Sequence, residues 1–157
     1  METASINEIK NELREQTPKQ LVELCLQLAK YKKENKELLG YLLFDAEDRL
    51  TFIKNVKQEI DDQLKEMNQR SIFLAKKTVR KVLRTTNKYI RYSGSKQNEV
   101  ELLIYYCKKI KDSGLAIHSS TALTNLYQRQ IQRIQKALTT LNEDLQFDYG
   151  EELSNLI

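Results

Sequence analysis

The chain has little of what β-rich, disulfide-bonded or zinc-binding domains need. Its 157 residues include one proline, four glycines, one histidine, two cysteines and no tryptophan. An all-β domain needs turn residues every 8–12 positions or so, and four glycines with one proline cannot supply them. Two cysteines that lie far apart argue against a disulfide framework or a zinc ribbon. The length is that of about one domain.

Long hydrophobic runs are also missing. The most apolar stretch is Leu38–Phe44, far short of the roughly 20 residues that span a bilayer. The first residues are polar, with no apolar run behind their charges, so we expect no signal peptide. Cys25 and Cys107 each lie in an apolar stretch, and we expect both thiols to be buried and reduced. These absences predict a cytoplasmic protein that makes no membrane contact.

Apolar residues recur at spacings of three and four along almost the whole chain, which is the pattern of amphipathic helices. A threonine, a proline and a glutamine at 17, 18 and 20 are typical of a capped helix start. We therefore predict an all-α protein, a single domain over residues 1–157 built as an irregular bundle or as stacked antiparallel helical hairpins. Six or seven helices are expected, at about 5–15, 18–32, 35–44, 45–67, 71–92 and 98–111, with a long one after Ser119 or Ser120.

Three finer expectations follow from the same pattern. The helix at 35–44 is apolar almost all round, so it should be the most buried. Gly114 stands where a C-cap glycine belongs. The last helix should run through Leu145, which leaves residues 147–157 as a loosely ordered tail.

The order and spacing of several segments resemble a small all-helical bacterial family of unknown function. The segments are residues 12–39, with TPKQLVEL at 17–24, then AKKTV at 75–79, LLIYY at 102–106 and LTNLY at 123–127. The resemblance implies a helical-repeat-like fold. It implies no activity and no catalytic residues.

Catalytic residue types are scarce. His118 has no second histidine or cysteine near it in sequence, so we expect it to be a solvated residue before a helix. Asp62 and Glu66 share a helix face and form only a weak candidate for a divalent cation, so a solvated or ion-paired face is expected. We predict that the protein is not an enzyme and needs no cofactor or metal. The alternative is an enzyme with a carboxylate-based site between helices.

Charge is the one strongly uneven property. Residues 67–98 hold nine basic and no acidic residues, whereas the whole chain has a net charge of only +4. On a helix over 71–92, seven of these side chains share the side opposite the apolar residues. We call them the basic stripe: Lys76, Lys77, Arg80, Lys81, Arg84, Lys88 and Arg91. Like charges at successive i,i+4 positions destabilise a helix by about 0.2–0.5 kcal/mol a pair, unless something anionic faces them.

Two sources of that negative charge stay open at this point. In one, acids of the chain itself neutralise the stripe, chiefly those of the preceding helix: Glu59, Asp61, Asp62 and Glu66. In the other, the stripe binds an external anion, with the contact residues Lys77, Arg80, Lys81, Arg84, Lys88, Arg91 and Tyr92. The predicted function is a non-enzymatic interaction module that contacts an acidic protein or a nucleic-acid backbone. A nonspecific nucleic-acid-binding protein is a further alternative, and the chain is expected to be a monomer or homodimer.

Overall fold

The computed structural model describes all 157 residues, and it contains helices and no strand. The predicted all-α class is confirmed, with eight α-helices instead of six or seven. The chain divides into two compact units, Met1–Phe44 and Asp45–Ile157, which we call the N-terminal unit and the C-terminal unit. The single domain over 1–157 stays a prediction. No helix combines the length and apolar character needed to cross a membrane.

The N-terminal unit holds α1 (Ile6–Arg14), α2 (Pro18–Tyr31) and α3 (Lys33–Gly40), followed by a π-helical turn at Tyr41–Asp45. Its first two helices begin with capping boxes. The Ser5 hydroxyl accepts from the Glu8 amide, and the Ser5 amide donates to the Glu8 carboxylate. Thr17 and Gln20 exchange the same pair of hydrogen bonds, as the sequence predicts.

No side chain of α1, α2 or α3 is buried. The expectation that residues 35–44 form the most buried helix is therefore wrong. A helix that is apolar all round needs neighbours on several sides, and within this unit α3 packs chiefly on α2. The expected burial of Cys25 is also wrong, because its thiol is exposed.

The C-terminal unit contains α4 (Arg49–Lys65), α5 (Ile72–Ser93), α6 (Lys96–Asp112), α7 (Thr121–Leu138) and α8 (Glu143–Ser154). The central helix is α6, which packs against each of the other four. It buries residues on most of its circumference: Val100, Leu102, Leu103, Ile104, Tyr106, Cys107 and Ile110. Gly114, just past its end, has φ 75°, which confirms the predicted C-cap glycine.

The last predicted helix is two helices. After Leu138 the hydroxyls of Thr139 and Thr140 each donate to a carbonyl of the preceding turn at 2.7 Å. Asn142 then caps α8, its side-chain oxygen accepting from the Leu145 amide at 3.0 Å. Such local side-chain hydrogen bonds compete with continued helix, which explains the break.

The expected loosely ordered tail at 147–157 is also wrong. Residues Tyr149, Leu153 and Leu156 of this segment are buried. The Tyr127 hydroxyl of α7 donates to the Leu156 carbonyl at 2.8 Å. The tail is therefore held both by apolar packing and by a buried hydrogen bond.

Candidate interaction surface on helix α5

Helix α5 carries the basic stripe, and its opposite side builds the core. Ser71 caps its first turn, and Gly94 ends it in the left-handed region at φ 59°. The inner side buries Ala75, Val79, Val82, Thr86 and Ile90. Packing against α4 and α6 fixes this side, so the basic side chains are directed away from the core. The Tyr106 hydroxyl of α6 donates to the Val79 carbonyl at 2.9 Å, which fixes the middle of α5 further.

The acids that could neutralise the stripe from within are mostly bound elsewhere. Glu59 accepts from the Tyr89 hydroxyl at 2.6 Å. Asp61 accepts from the Tyr105 hydroxyl at 2.7 Å and lies 3.3 Å from the Lys109 ammonium. Asp62 binds Lys65 of its own helix. The partners of these three acids therefore lie on α6, on α4 itself and on the inner edge of α5.

One ion pair joins the outer stripe to these acids. The Lys81 ammonium lies 3.6 Å from a Glu66 carboxylate oxygen, and both side chains are more than half exposed. Pairs of this kind contribute about 0–1 kcal/mol. Two further lysines lie over aromatic rings, with the Lys77 ammonium 4.6 Å from the Phe73 ring centre and the Lys88 ammonium 4.8 Å from that of Tyr89.

Five basic residues of the stripe have no carboxylate within the 4.0 Å that defines an ion pair. They are Lys76, Lys77, Arg80, Arg84 and Arg91. All but the half-buried Lys76 are exposed to solvent. Internal neutralisation therefore covers only a small part of the stripe.

Tyr92, the candidate for stacking, is half-buried. Its ring meets that of Tyr89 edge to face, with 6.0 Å between ring centres. Tyr89 in turn packs edge to face on Phe52 of α4, at 6.1 Å. The structure thus brings Tyr92 to the end of the stripe, as one member of an aromatic cluster that continues into the core.

A second cluster, which the sequence analysis missed, lies between α4 and α6. Both oxygens of the Glu101 carboxylate are used. One accepts from the Lys57 ammonium at 2.9 Å, and the other accepts from the Arg49 guanidinium and from the Tyr149 hydroxyl, the latter at 2.9 Å. Burial acts to raise the pKa of Glu101, but the hydrogen bonds from Lys57, Arg49 and Tyr149 outweigh it, and the pKa is lowered.

An open pocket of about 390 Å³ adjoins this cluster, and both Asp61 and Glu101 line it. Tyr105 also lines the pocket, and the Lys57 and Lys109 ammonium groups lie 5.1 and 5.2 Å from its ring centre. Burial and the hydrogen bond to Asp61 raise the pKa of the Tyr105 hydroxyl. No sequence signal pairs Glu101 with residues more than forty positions away, because such a pairing depends on helix packing.

Other candidate groups are spread over the molecule. His118 is exposed in a 3-10 turn at Ile117–Ser119, and Ser120 caps α7 through the Leu123 amide. No group of three or more His, Cys, Asp or Glu side chains is placed to hold a metal ion. The basic stripe therefore remains the feature with the clearest chemical character.

Comparison with known protein families, with curated proteins and with solved structures finds no match to this chain. The resemblance to a small all-helical bacterial family therefore stays a prediction. Any functional argument has to start from the residues described above.

Proposed function

We propose that the protein is a non-enzymatic interaction module whose basic stripe on α5 binds an anionic partner, an acidic protein segment or a nucleic-acid backbone. The observation that carries the proposal is the set of five stripe residues without a carboxylate partner. Aligned like charges destabilise the helix they share. An external anion would remove that repulsion and gain new charge-assisted hydrogen bonds.

The spacing of the stripe suits a chain of repeated negative charges. Residues four apart on a helix are separated by about 6 Å along its axis, so Lys76 to Arg91 extends over about 22 Å. Arg80, Arg84 and Arg91 can each bind two oxygens of a carboxylate or phosphate at once. Lys77, Lys81 and Lys88 add point charges, and Tyr92 adds an aromatic edge at the end of the row.

The non-enzymatic part of the proposal is supported by the state of the two carboxylates in the α4–α6 pocket. General acid–base catalysis works best with a group whose pKa lies near the working pH. The pKa of Glu101 is lowered instead, and Asp61 is bound by Tyr105 and Lys109. Both contacts are those of structural ion pairs that join α4 to α6.

Fluorescence anisotropy tests the proposal with three labelled probes: duplex DNA, single-stranded RNA and a polyglutamate peptide. The full chain is titrated into each probe at about 50 and 200 mM salt, where a protein that neutralises six or more phosphates loses on the order of a thousandfold in affinity. Steep salt dependence with the nucleic acids selects the nucleic-acid backbone as partner. Binding to polyglutamate alone selects an acidic protein. Absence of binding to all three probes at low salt would contradict the proposal.

A further inference from the structure

The outer face of α5 has an apolar end beside its basic stripe. The first three residues of the helix, Ile72, Phe73 and Leu74, are 38, 61 and 40% exposed. Lys77 connects this end to the stripe, because its ammonium lies 4.6 Å from the Phe73 ring centre. A nucleic-acid backbone offers no apolar groups to cover three such side chains. The apolar end therefore favours a protein segment as the partner of the stripe.

The spacing on this face indicates the form of that segment. Phe73, Lys77, Arg80 and Arg84 follow one another at intervals of four, three and four residues, on the side opposite the buried residues of α5. A row with this spacing faces a second helix along its length. Its members are about 5 Å apart along the axis, whereas side chains on one side of an extended strand are about 6.6 Å apart. A helix therefore stays in step with the row, and a strand does not.

The chain itself contains an acidic helix with matching features. Helix α8 carries five acidic and no basic residues, and all five acids are exposed. No basic side chain lies within 4.0 Å of any of their carboxylates. The acids are Glu143, Asp144, Asp148, Glu151 and Glu152. Helix α8 is thus an anionic surface whose charge is not neutralised within the molecule.

The outer side of α8 also carries an exposed aromatic ring. Asp144, Phe147 and Glu151 follow one another at intervals of three and four residues, opposite the buried Tyr149 and Leu153. Phe147 is 67% exposed and lies between the two acids of this row. The outer faces of α5 and α8 therefore agree in spacing, have opposite charges and each present an exposed phenylalanine.

The two helices are not partners within one molecule. Helix α5 packs on α4 and α6, whereas α8 packs on α6 and α7. No ion pair joins α5 to α8. Their lengths are compatible across two molecules, since the twelve residues of α8 extend over about 18 Å and the row from Phe73 to Arg84 extends over about 17 Å.

We infer that the outer face of α5 binds helix α8 of a second copy of this chain. Phe147 of α8 packs on the apolar end of α5 at Phe73, and the acids of α8 face Lys77 and Arg80. The contact joins two different surfaces, so it is repeated either twice around a two-fold axis or along an open chain of copies. This inference rests on the function proposed for the stripe, and it identifies the acidic segment that the stripe binds.

Sedimentation equilibrium of the full chain is the first test, with protein from about 5 to 300 µM, because one short helix pair buries less than a standard interface. At about 50 mM salt the mass should rise above the 18.5 kDa of the monomer. Association should be at least about tenfold weaker at about 500 mM salt, which screens charge pairs.

A monomer at every concentration in low salt overturns the inference. The proposed function stands in that case if the chain binds one of its three anionic probes. It fails as well only if the chain binds none of them.

A charge exchange tests the two faces. One variant carries Lys77→Glu with Arg80→Glu, and the other carries Asp148→Lys with Glu151→Lys. All four side chains are exposed, and helical circular dichroism checks that both variants fold. Each variant alone should associate at least about tenfold more weakly, because like charges then face each other. An equimolar mixture should recover association, since each altered face meets its complement.

Two matched variants control for net charge. Lys108→Glu with Lys136→Glu and Glu12→Lys with Glu23→Lys alter exposed positions outside both faces, and each should associate like the unaltered chain. A mixture of the two face variants that associates no better than either alone would overturn the inference. So would full association of each face variant by itself.

The aromatic contact is tested by truncation of exposed side chains. Phe73→Ala and Phe147→Ala should each weaken association by about fivefold, and the double variant should be little weaker than either, because the two rings contact each other. Phe44→Ala, at a side chain 80% exposed, is the control and should change nothing. Additive losses from Phe73→Ala and Phe147→Ala would contradict the pairing of these two residues.

Discussion

Both units have helices that begin with side-chain caps, and the two units differ completely in burial. Ser5 and Thr17 form full capping boxes in the N-terminal unit, and Ser95 caps α6 in the C-terminal unit. Yet every buried residue lies in 45–157. Caps and apolar periodicity thus specify where helices form, whereas a core needs neighbouring elements on several sides of each helix.

Helices α3 and α6 show the difference most clearly. Helix α6 has four neighbours within its unit, and its residues Leu102, Leu103 and Tyr106 are completely buried. Helix α3 packs chiefly on α2, and its Leu38 and Leu39 are only half-buried. The comparison yields four predictions, which follow from the largest expected effect to the smallest.

A core truncation should affect the two units very differently. Leu103→Ala removes a completely buried side chain and should lower the free energy of unfolding by about 2–5 kcal/mol. Leu28→Ala, at a side chain 63% exposed, should change it by no more than about 0.5 kcal/mol. Urea unfolding followed by near-ultraviolet circular dichroism of the buried tyrosines measures both. Equal losses would show that the N-terminal unit shares the core.

Glu101→Gln should weaken the link between α4, α6 and α8 by about 1–3 kcal/mol at neutral pH, because charged hydrogen bonds from Arg49 and Lys57 are lost. The pKa of Glu101 is lowered in the folded protein from its ordinary value of 4.5. Its stabilising effect is therefore complete above that value and disappears as the pH falls through the folded pKa.

Urea midpoints of the unaltered chain and of Glu101→Gln, compared from neutral pH to about pH 3, check this sign. The difference between the two should shrink on acidification. A difference that stays constant with pH would mean that packing, and not the ionised carboxylate, is responsible.

Loss of a cap should show the same asymmetry on a smaller scale. Ser95 accepts from the Asn98 amide at 3.2 Å at the start of the central helix, and Ser95→Ala should cost about 1 kcal/mol. Thr17→Ala removes an equivalent cap but should leave the main unfolding transition unchanged. Thermal unfolding of both variants provides the comparison. A similar loss of melting temperature in the two would contradict it.

The last prediction concerns the reactivity of the two cysteine thiols and not the stability of the protein. Burial raises the pKa of the Cys107 thiol to about 12, and the thiolate is the reactive form. Cys25 is exposed. A colorimetric thiol reagent should therefore label one cysteine of the native chain and both after denaturation, and rapid labelling of Cys25→Ser would contradict this assignment.

Helix class and most helix boundaries follow from the sequence because they depend on local periodicity and caps. The sequence predicts a helix start at Thr17 and Gln20 and a C-cap glycine at Gly114, and the structure confirms both. The break at Asn142 was not, since an apolar pattern continues across it. The lack of burial of α3 and the burial of the tail could not be predicted from the sequence either, because burial depends on which helices pack together.

In the candidate site, too, the features that depend on local sequence could be predicted and those that depend on helix packing could not. The position of the basic stripe on α5 follows from helical periodicity. That five of its residues have no carboxylate partner does not follow from the sequence, because it depends on Glu59 and Asp61 being bound by Tyr89, Tyr105 and Lys109. The Glu101 cluster is wholly tertiary, so no spacing in the sequence indicates it.

The most direct test of the proposed function compares two charge reversals of equal size. Arg80→Glu, Arg84→Glu and Arg91→Glu change the stripe. The matched variant carries Lys108→Glu, Arg129→Glu and Lys136→Glu at exposed positions of α6 and α7, so the two variants have the same net charge. Binding of each to whichever anionic probe the unaltered chain binds is measured at low salt.

The expected result is a loss of at least about a hundredfold in affinity for the stripe variant, and a loss of no more than about tenfold for its matched control, which has lost only long-range attraction. Helical circular dichroism should stay the same for both. Equal losses in the two variants would show that net charge, and not the basic stripe of α5, accounts for binding.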